Sequence, residues 1–330
     1  MSPEIVLDVR GLTVEFPTRN GILTAVDNVS FSIAKGEILG VVGESGAGKS
    51  LTGAAIIGLL EPPGRVAKGE IRLKGERIDG LAGEALRRLR GRRVGMVFQD
   101  PLTSLNPLYT VGDQLIETIS THRPDLSASA AQERALSLLI DVGIPAAKDR
   151  LFAYPHQFSG GMRQRVVIAL ALAAEPELVI ADEPTTALDV SVQAQIIALL
   201  KRLCAERGTS IMLITHDMGV IAETCDRVAV LYAGRIVEIG PVADVIHRPC
   251  HPYTIGLMGA IPALDGEEDR LTQIPGSMPR LSAIPQGCAF HPRCARARQT
   301  CLDERPRLTA AGSGSAACWH IDPALTGAGS

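Results

Sequence analysis

Gly43-Glu44-Ser45-Gly46-Ala47-Gly48-Lys49-Ser50 fits the pattern G-x-x-x-x-G-K-[ST], the Walker A phosphate loop. Its flanks fit as well. Ile38-Leu39-Gly40-Val41-Val42 is a short apolar run, as a buried parallel strand requires. Residues 51–60 read as a helix, stopped by Pro62-Pro63-Gly64. Glycines at 43, 46 and 48 let the backbone turn tightly, so that its N–H groups converge on phosphate oxygens. The positive end of the following helix adds to that field. Lys49 supplies a point charge for the terminal phosphates, and the Ser50 hydroxyl a ligand for Mg²⁺. The stretch from Gly43 to Leu51 is the expected nucleotide site.

Two further stretches carry chemistry. Leu178-Val179-Ile180-Ala181-Asp182-Glu183 is an apolar strand ending in two acids, which a parallel sheet delivers to its phosphate-binding edge. Asp182 suits Mg²⁺, through water, and Glu183 suits a general base that polarises the attacking water. In Phe158-Ser159-Gly160-Gly161-Met162, two glycines at a helix start leave backbone N–H groups open, beside the Ser159 hydroxyl. That is a second phosphate-binding device. One subunit cannot bring both to a single γ-phosphate, so a dimer is expected in which each chain closes the other's nucleotide.

Around these stretches the chain alternates. Residues 5–35 are β-rich, with a turn signal at Arg19-Asn20-Gly21. Residues 66–78 read as a short pair of strands and 84–90 as a short helix. Val111, Leu115 and Ile119 recur every four residues, and Ala135, Leu138, Leu139 and Val142 repeat the theme. Residues 100–160 are therefore an inserted helical subdomain. Helices at 163–174 and 192–206 then alternate with strands at 178–181 and 210–214, which implies a mainly parallel sheet. Residues 228–232 and 236–239 suggest a hairpin around Ala233-Gly234. Beyond residue 248, Pro249, Pro252, Pro262, Pro275, Pro279, Pro285, Pro292 and Pro306 interrupt any long element. This loop-rich tail cannot build much core from aliphatic side chains, and 312–314 and 326–330 read as flexible.

Composition narrows the class. The 330 residues suffice for one large α/β domain and an appendage, and 46% hydrophobic with 21% charged is ordinary for a globular protein. A net charge of -3 gives no field favouring nucleic acid or an anionic membrane. The one basic cluster, Arg87, Arg88, Arg90, Arg92 and Arg93, reads as a solvated helix and turn before a strand, with a nucleic-acid patch as the alternative. No apolar run is long enough to span a membrane. The N-terminus has neither a basic nor an apolar signal region, so a cytosolic protein is expected. Seven cysteines in such a chain argue against a disulfide framework.

The order Gly43–Ser50, Gln99, Ser159-Gly160-Gly161, Asp182-Glu183, Asp189 and His216 resembles an ATP-binding-cassette ATPase over residues 5 to about 245. The resemblance implies a mainly parallel core sheet, an antiparallel β subdomain and the helical insert. It makes Gln99 a Mg²⁺ contact that relays nucleotide state to a membrane partner. It makes Ser159 to Met162 the signature that meets the partner's ATP, although Phe158 and Met162 depart from the usual leucine and glutamine. Asp189 falls in the D-loop, His216 on the γ-phosphate, and Phe16 is the candidate for stacking on adenine.

His251-Pro252-Tyr253-Thr254 and the run to Pro262 resemble the C-terminal region of oligopeptide and dipeptide importer ATPases; read alone, the tetrapeptide is a proline turn capping a short helix. Cys288, Cys294, Cys301 and Cys318 follow as C-x₅-C-x₆-C-x₁₆-C, which differs from the usual C-x₂-C zinc spacing. Four thiolates suit Zn²⁺ or an iron–sulfur cluster. The resemblance implies a [4Fe–4S] cluster; zinc and no metal stay open. Cys204, Cys225 and Cys250 read as ordinary small residues.

The implied protein is the ATPase subunit of an importer for di- or oligopeptides, peripheral on the cytoplasmic face of the inner membrane. Its implied partners are a second ATPase subunit of a different chain, two membrane-spanning permeases docked on the helical insert, and an external solute-binding protein. No nucleic acid is expected. Import of nickel, glutathione or another small solute is the alternative. A soluble relative acting on DNA or ribosomes would need a long coil, DNA-binding insertions or a second cassette, and none is visible.

Overall fold

Two long strands, β1 (Ile5–Thr18) and β2 (Gly21–Ala34), meet at the turn Arg19–Asn20. There the Thr18 hydroxyl donates to the Gly21 carbonyl at 2.7 Å and accepts from the Asn20 N–H at 3.2 Å. Strand β3 (Ile38–Val42) leads through the glycine-rich loop into helix α1 (Lys49–Ile56). This helix stops short of residue 60 because Gly58, at φ +70°, takes the left-handed conformation that ends a helix. Then come β4 (Arg65–Leu73), β5 (Glu76–Arg77), α2 (Gly83–Leu89) and β6 (Val94–Val97). The helical insert is α3 (Pro101–Ser104), α4 (Val111–His122), α5 (Ala128–Asp141) and α6 (Ala147–Arg150). Alternation resumes with α7 (Gly160–Ala171), β7 (Leu178–Asp182), α8 (Val190–Arg207) and β8 (Ser210–Ile214). After these come α9 (Met218–Thr224), β9 (Arg227–Tyr232), β10 (Arg235–Pro241), α10 (Val242–His247) and α11 (Pro252–Gly259). Helix α12 (Gln299–Asp303) and strands β11 (Thr309–Ala311) and β12 (Gly314–Ala316) lie in the tail. The computed structural model describes residues 3–186, 188–260 and 273–321.

These elements divide between two compact units. The first takes the described parts of Met1–Leu7, Ile33–Ile38 and Leu73–Ile214; the second takes those of Asp8–Ser32, Leu39–Arg72 and Thr215–Ser330.

In the first unit, β6, β7 and β8 are parallel, with Val94 opposite Leu178 and Leu178 opposite Ser210. Strands β7 and β8 are buried at every position, which explains their unbroken apolar sequence. Helices α4, α5 and α7 pack together, and the four-residue recurrence becomes their core: Leu115, Ile119, Ala135, Leu138 and Leu139 are fully buried. A capping box starts α4. The Thr110 hydroxyl accepts from the Asp113 N–H at 3.1 Å, while the Asp113 carboxylate accepts from the Thr110 N–H at 3.2 Å.

In the second unit, β3 and β9 are parallel, and β9 and β10 are an antiparallel hairpin turned by Ala233-Gly234, both at positive φ. The strand pairing in this unit is thus mixed. The tail adds to this unit: β12 pairs antiparallel with β10, and β11 with β12. The expected flexibility at 312–314 is not found. Gly312, at φ +58°, instead makes the tight turn of the β11–β12 hairpin, and Gly314 is already in strand. Pro252 occupies the first turn of α11, where its missing N–H costs nothing. Pro262 and residues 326–330 lie outside the described residues. The tail's core is aromatic rather than aliphatic. Tyr253 and Phe290 join Tyr232 of β9, with ring centroids 4.7 Å apart for Tyr232–Tyr253, 5.2 Å for Tyr232–Phe290 and 5.5 Å for Tyr253–Phe290.

Candidate active site

The glycine-rich loop, Phe16, His216 and the four tail cysteines belong to the second unit; Gln99, the signature, the paired acids and Asp189 belong to the first.

The loop is built by constraints that only glycine meets. Gly43 lies at φ +152°, and a Cβ there would collide with the Leu231 carbonyl. Gly46 and Gly48 are also at positive φ, and Gly48 caps α1. The Lys49 side chain is buried and folds back on the loop. Its ammonium donates to the Gly43 carbonyl at 2.7 Å and to the Glu44 carbonyl at 3.2 Å. The Glu44 carbonyl also accepts from the Ala47 N–H at 3.1 Å. Ser50 is exposed at the second position of the helix, and Leu51 follows it. Ser45 and Gly46 are exposed, so the tip of the loop is open. His216 is exposed just past β8, between buried Thr215, whose N–H donates to the Val41 carbonyl, and Asp217, which caps α9. Phe16 is half-buried on β1, its ring against the turn at Gly64, where a Cβ would come within 2.7 Å of Phe16 Cε1.

In the first unit Asp182 is buried at the end of β7, opposite Ile214 of β8. Glu183, one residue on, has left the strand at φ +46°, with its N–H still bonded to the Ile214 carbonyl at 2.8 Å. Gln99 Nε2 donates to Glu183 Oε2 at 3.1 Å, and the Thr186 hydroxyl donates to the same oxygen at 2.9 Å. The structure thus brings Gln99 and Glu183 together across 84 residues of sequence. Thr186, which holds Glu183 equally closely, has no signal of its own in the sequence.

The signature starts α7. Ser159 is its N-cap, accepting from the Met162 N–H at 3.3 Å, and Gly160 and Gly161 are the first helical residues. A Cβ at Gly161 would lie 2.6 Å from Val192 Cγ1, so a small residue is needed where α7 meets the start of α8. Asp189 caps α8, accepting from the Ser191 hydroxyl at 2.6 Å and the Val192 N–H at 2.9 Å. These bonds, that of Ser191 first, hold its carboxyl below the ordinary value. Ala187, earlier in the D-loop, lies outside the described residues.

The tail is tied to the second unit through a buried acid. Glu238 of β10 accepts the Cys250 N–H at 2.8 Å and the His251 N–H at 2.9 Å. Burial raises its carboxyl above the ordinary range, against the pull of the hydrogen bonds it accepts. His251 then caps α11, its Nδ1 accepting from the Tyr253 N–H at 3.0 Å. The capping reading of His251-Pro252-Tyr253-Thr254 therefore holds, and Tyr253 goes further: its hydroxyl accepts the Glu44 N–H of the phosphate loop at 2.9 Å. Arg293 pairs with the Glu44 carboxylate at 3.0 Å. Neither contact is legible in the sequence.

Cys288, Cys294, Cys301 and Cys318 all line one small cavity with His251, His291 and His320, and no disulfide joins them. Burial pushes the Cys288, Cys294 and Cys318 thiols up, and neighbouring thiols of the group add to it. His320 Nε2 is buried there without a hydrogen-bond partner. As the side chains stand, however, no three His, Cys, Asp or Glu among the described residues form a metal-binding group. Cys204 bonds through Sγ to the Gly36 carbonyl, as a small buried residue does.

Known proteins match most of the chain. A family model described as "ABC transporter" matches residues 26–186, and one described as "Oligopeptide/dipeptide transporter, C-terminal region" matches 237–301. The chain is 48% identical to the oligopeptide transport ATP-binding protein OppD of Haemophilus influenzae, over 95% of this chain and 97% of that one. It is also 48% identical to the dipeptide transport ATP-binding protein DppD of Bacillus subtilis, over 97% and 96%. Among solved structures it resembles the ATP-binding cassette MJ0796, a dimer in a post-hydrolysis state bound to ADP and phosphate. The TM-score is 0.64 and the identity 30%, over 72% of this chain and 98% of that one.

The buried cap at His251 has a pH signature. Burial holds the imidazole down to about 3, whereas the unfolded chain binds that proton near 6.5. Between these values the unfolded state carries the extra proton, so this contribution to stability is complete above 6.5 and is lost as pH falls. Glu238 acts in the opposite sense above 4.5, because its raised carboxyl keeps a proton that the unfolded chain has released. His251→Asn keeps a capping oxygen and removes the titration. Denaturant unfolding at pH 7 and pH 5 is expected to show the wild type losing about 2 kcal/mol more than the variant over that interval. Equal losses would place the acid sensitivity elsewhere.

Proposed function

The chain belongs to the ABC transporter ATPases that carry the oligopeptide/dipeptide transporter C-terminal region, and from that membership we propose that it powers import of di- or oligopeptides. The observation that carries this reading is the presence, in one chain, of the 43–50 phosphate loop and the C-terminal region matched over 237–301. The enzyme is an ATPase of this family. Residues 1–247 form the nucleotide domain and 248–330 the importer-type extension.

Gly43 to Leu51 bind ATP. The exposed loop tip, with the Lys49 ammonium held on the loop's own Gly43 and Glu44 carbonyls, supports this. Phe16 stacks on adenine. Mg²⁺, held by Ser50, Gln99 and Asp182, supplies positive charge to the transferring phosphoryl group. Glu183 is the general base and His216 contacts the γ-phosphate. Gln99 touches Glu183 directly, which supports its role as a relay: a partner that moves Gln99 also releases the base. Ser159, Gly160, Gly161 and Met162 complete the ATP site of a second ATPase subunit, a different chain, and Asp189 lies in the D-loop at that junction. MJ0796, described as a dimer bound to ADP and phosphate, supports such an arrangement.

Among the described residues no helix is long and apolar enough to cross a membrane. The protein sits peripherally on the cytoplasmic face of the inner membrane, under two permeases fed by an external solute-binding protein. The exposed apolar side chains of the helical region support docking there: Leu108 is 80% and Phe152 69% exposed, with Phe98, Tyr109 and Tyr154 also exposed. In the tail, the donor chemistry of Cys288, Cys294, Cys301 and Cys318 fits a soft metal group, since four thiols share one cavity. A structural [4Fe–4S] cluster is the proposed occupant and Zn²⁺ the alternative.

Three outcomes test this. Glu183→Gln is expected to bind ATP normally and to lose about 10²–10⁴ in turnover; hydrolysis near the wild-type rate would remove Glu183 from the base role. Tagged protein drawn from gently solubilised membranes is expected to bring permeases with it, and its ATPase to rise with binding protein and peptides. A response to Ni²⁺ or glutathione alone would change the cargo, and recovery of nucleic acid without permeases would end the importer reading. Anaerobically purified protein is expected to be brown, with iron and acid-labile sulfide lost in a Cys301→Ser variant. Stoichiometric zinc without iron would reject the cluster.

A further inference from the structure

The N–H, the carbonyl and a carboxylate oxygen of Glu44 are all engaged, and their partners come from two places. Its carbonyl, with that of Gly43, holds the Lys49 ammonium, so the position of Glu44 helps set that of Lys49. Its N–H and its carboxylate are both taken by the tail. The N–H donates to the Tyr253 hydroxyl at 2.9 Å, and the carboxylate receives Arg293 at 3.0 Å.

Both tail residues are themselves rigidly held. Tyr253 is fully buried, in the first turn of α11, against the rings of Tyr232 and Phe290. The Arg293 side chain is only 7% exposed. Its Nε donates to the Pro275 carbonyl at 2.8 Å, and its guanidinium lies 5.8 Å from the ring centroids of both Tyr232 and Phe290. A guanidinium buried in this way needs a counter-charge, and among the described residues the Glu44 carboxylate is the one paired with it. The pairing is bidirectional: the loop neutralises the tail's buried cation, and the tail fixes the loop's second residue.

From these contacts we infer that Tyr253 and Arg293 are positioning residues of the ATPase, holding Glu44, and through it Lys49, in the conformation that receives the phosphates of ATP. The inference rests on ATP binding at the 43–50 loop and is independent of the cargo. The tail is then part of the nucleotide site's support. With Tyr253 truncated to Phe, the Glu44 N–H loses its acceptor. With Arg293 neutralised, the carboxylate loses its anchor. Either change frees the loop to sample conformations that do not bind phosphate, and apparent affinity falls by the fraction of time spent there.

The test uses the full chain. Equilibrium Kd values for MgATP and MgADP, by displacement of a fluorescent nucleotide, are measured beside kcat and the nucleotide-free melting temperature. The variants are Tyr253→Phe, Arg293→Met, Arg293→Lys, Glu44→Gln and the double Glu44→Gln/Arg293→Met. Positioning predicts that Tyr253→Phe and Arg293→Met each weaken both nucleotides about tenfold, because ATP and ADP share the phosphates the loop embraces. It predicts that Arg293→Lys falls between the wild type and Arg293→Met, since a cation there can still pair with the carboxylate but cannot keep the Pro275 bond or the place over the two rings. The double variant should be no weaker than Arg293→Met alone, because the pair acts as one unit. A lowered melting temperature with unchanged Kd values in the folded variants would make the contacts structural only and overturn the inference. So would additive losses in the double variant. A wild type that fails to bind MgATP would overturn the ATP site itself and this inference with it, whereas unchanged variants of a binding wild type would overturn the positioning alone.

Discussion

A phosphate-binding loop must hold like charges together before any phosphate arrives. Backbone N–H dipoles and a lysine all point their positive ends at one place, and nothing anionic is there to relieve them. Here the relief is internal. The Lys49 ammonium rests on the Gly43 and Glu44 carbonyls, and the left-handed glycines keep those carbonyls available. The close approach of Gly43 to the Leu231 carbonyl shows how little room the arrangement leaves. The fully buried strand before the loop supplies the rigidity, since a five-residue apolar strand cannot slide without exposing its neighbours to water. Much of the second unit reads as what is needed to keep that strand and loop in place.

The acids of the first unit solve a different problem. Two adjacent acids at a strand end would, in regular extended backbone, point to opposite faces of the sheet. The backbone at Glu183 leaves the strand in the left-handed region, an uncommon choice for a residue with a side chain. The chain tolerates it because three bonds over-determine the position: its N–H to the Ile214 carbonyl, and its carboxylate to Gln99 and Thr186. In the proposed mechanism these bonds hold the carboxylate of the general base in one place.

The sequence announces those parts of the fold whose physics is local. The 43–50 loop, the signature cap at Ser159 and the hairpin at Ala233-Gly234 each depend on residues within a few positions of one another, so their patterns survive in one dimension. The four-residue recurrence in α4 and α5 was legible for the same reason. The illegible parts are long-range. Glu44 meets Tyr253 across 209 residues and Arg293 across 249, and no periodicity links them. Gly312 misled because glycine serves both a tight turn and a flexible linker; pairing of β12 with β10 decides between them. The tail's proline content correctly denies it long elements, yet hides how much core two aromatic side chains can supply.

That tail raises the question of why a nucleotide-binding unit should take its support from a segment so poor in regular structure. Short elements carry little stability of their own, so the tail keeps its shape only through what it packs on and what it closes around. It packs on Tyr232 and on the buried Glu238, both part of the β9–β10 hairpin. It closes around four thiols in one cavity, and the same polypeptide run that brings Cys288 and Cys294 there carries Arg293 between them. Backbone bonds couple these residues tightly: the Cys294 N–H donates to the His291 carbonyl, and the Arg293 N–H to the Phe290 carbonyl. The segment that lines the cysteine cavity is thus also the segment that meets Glu44 of the 43–50 loop, through an ion pair 3.0 Å long.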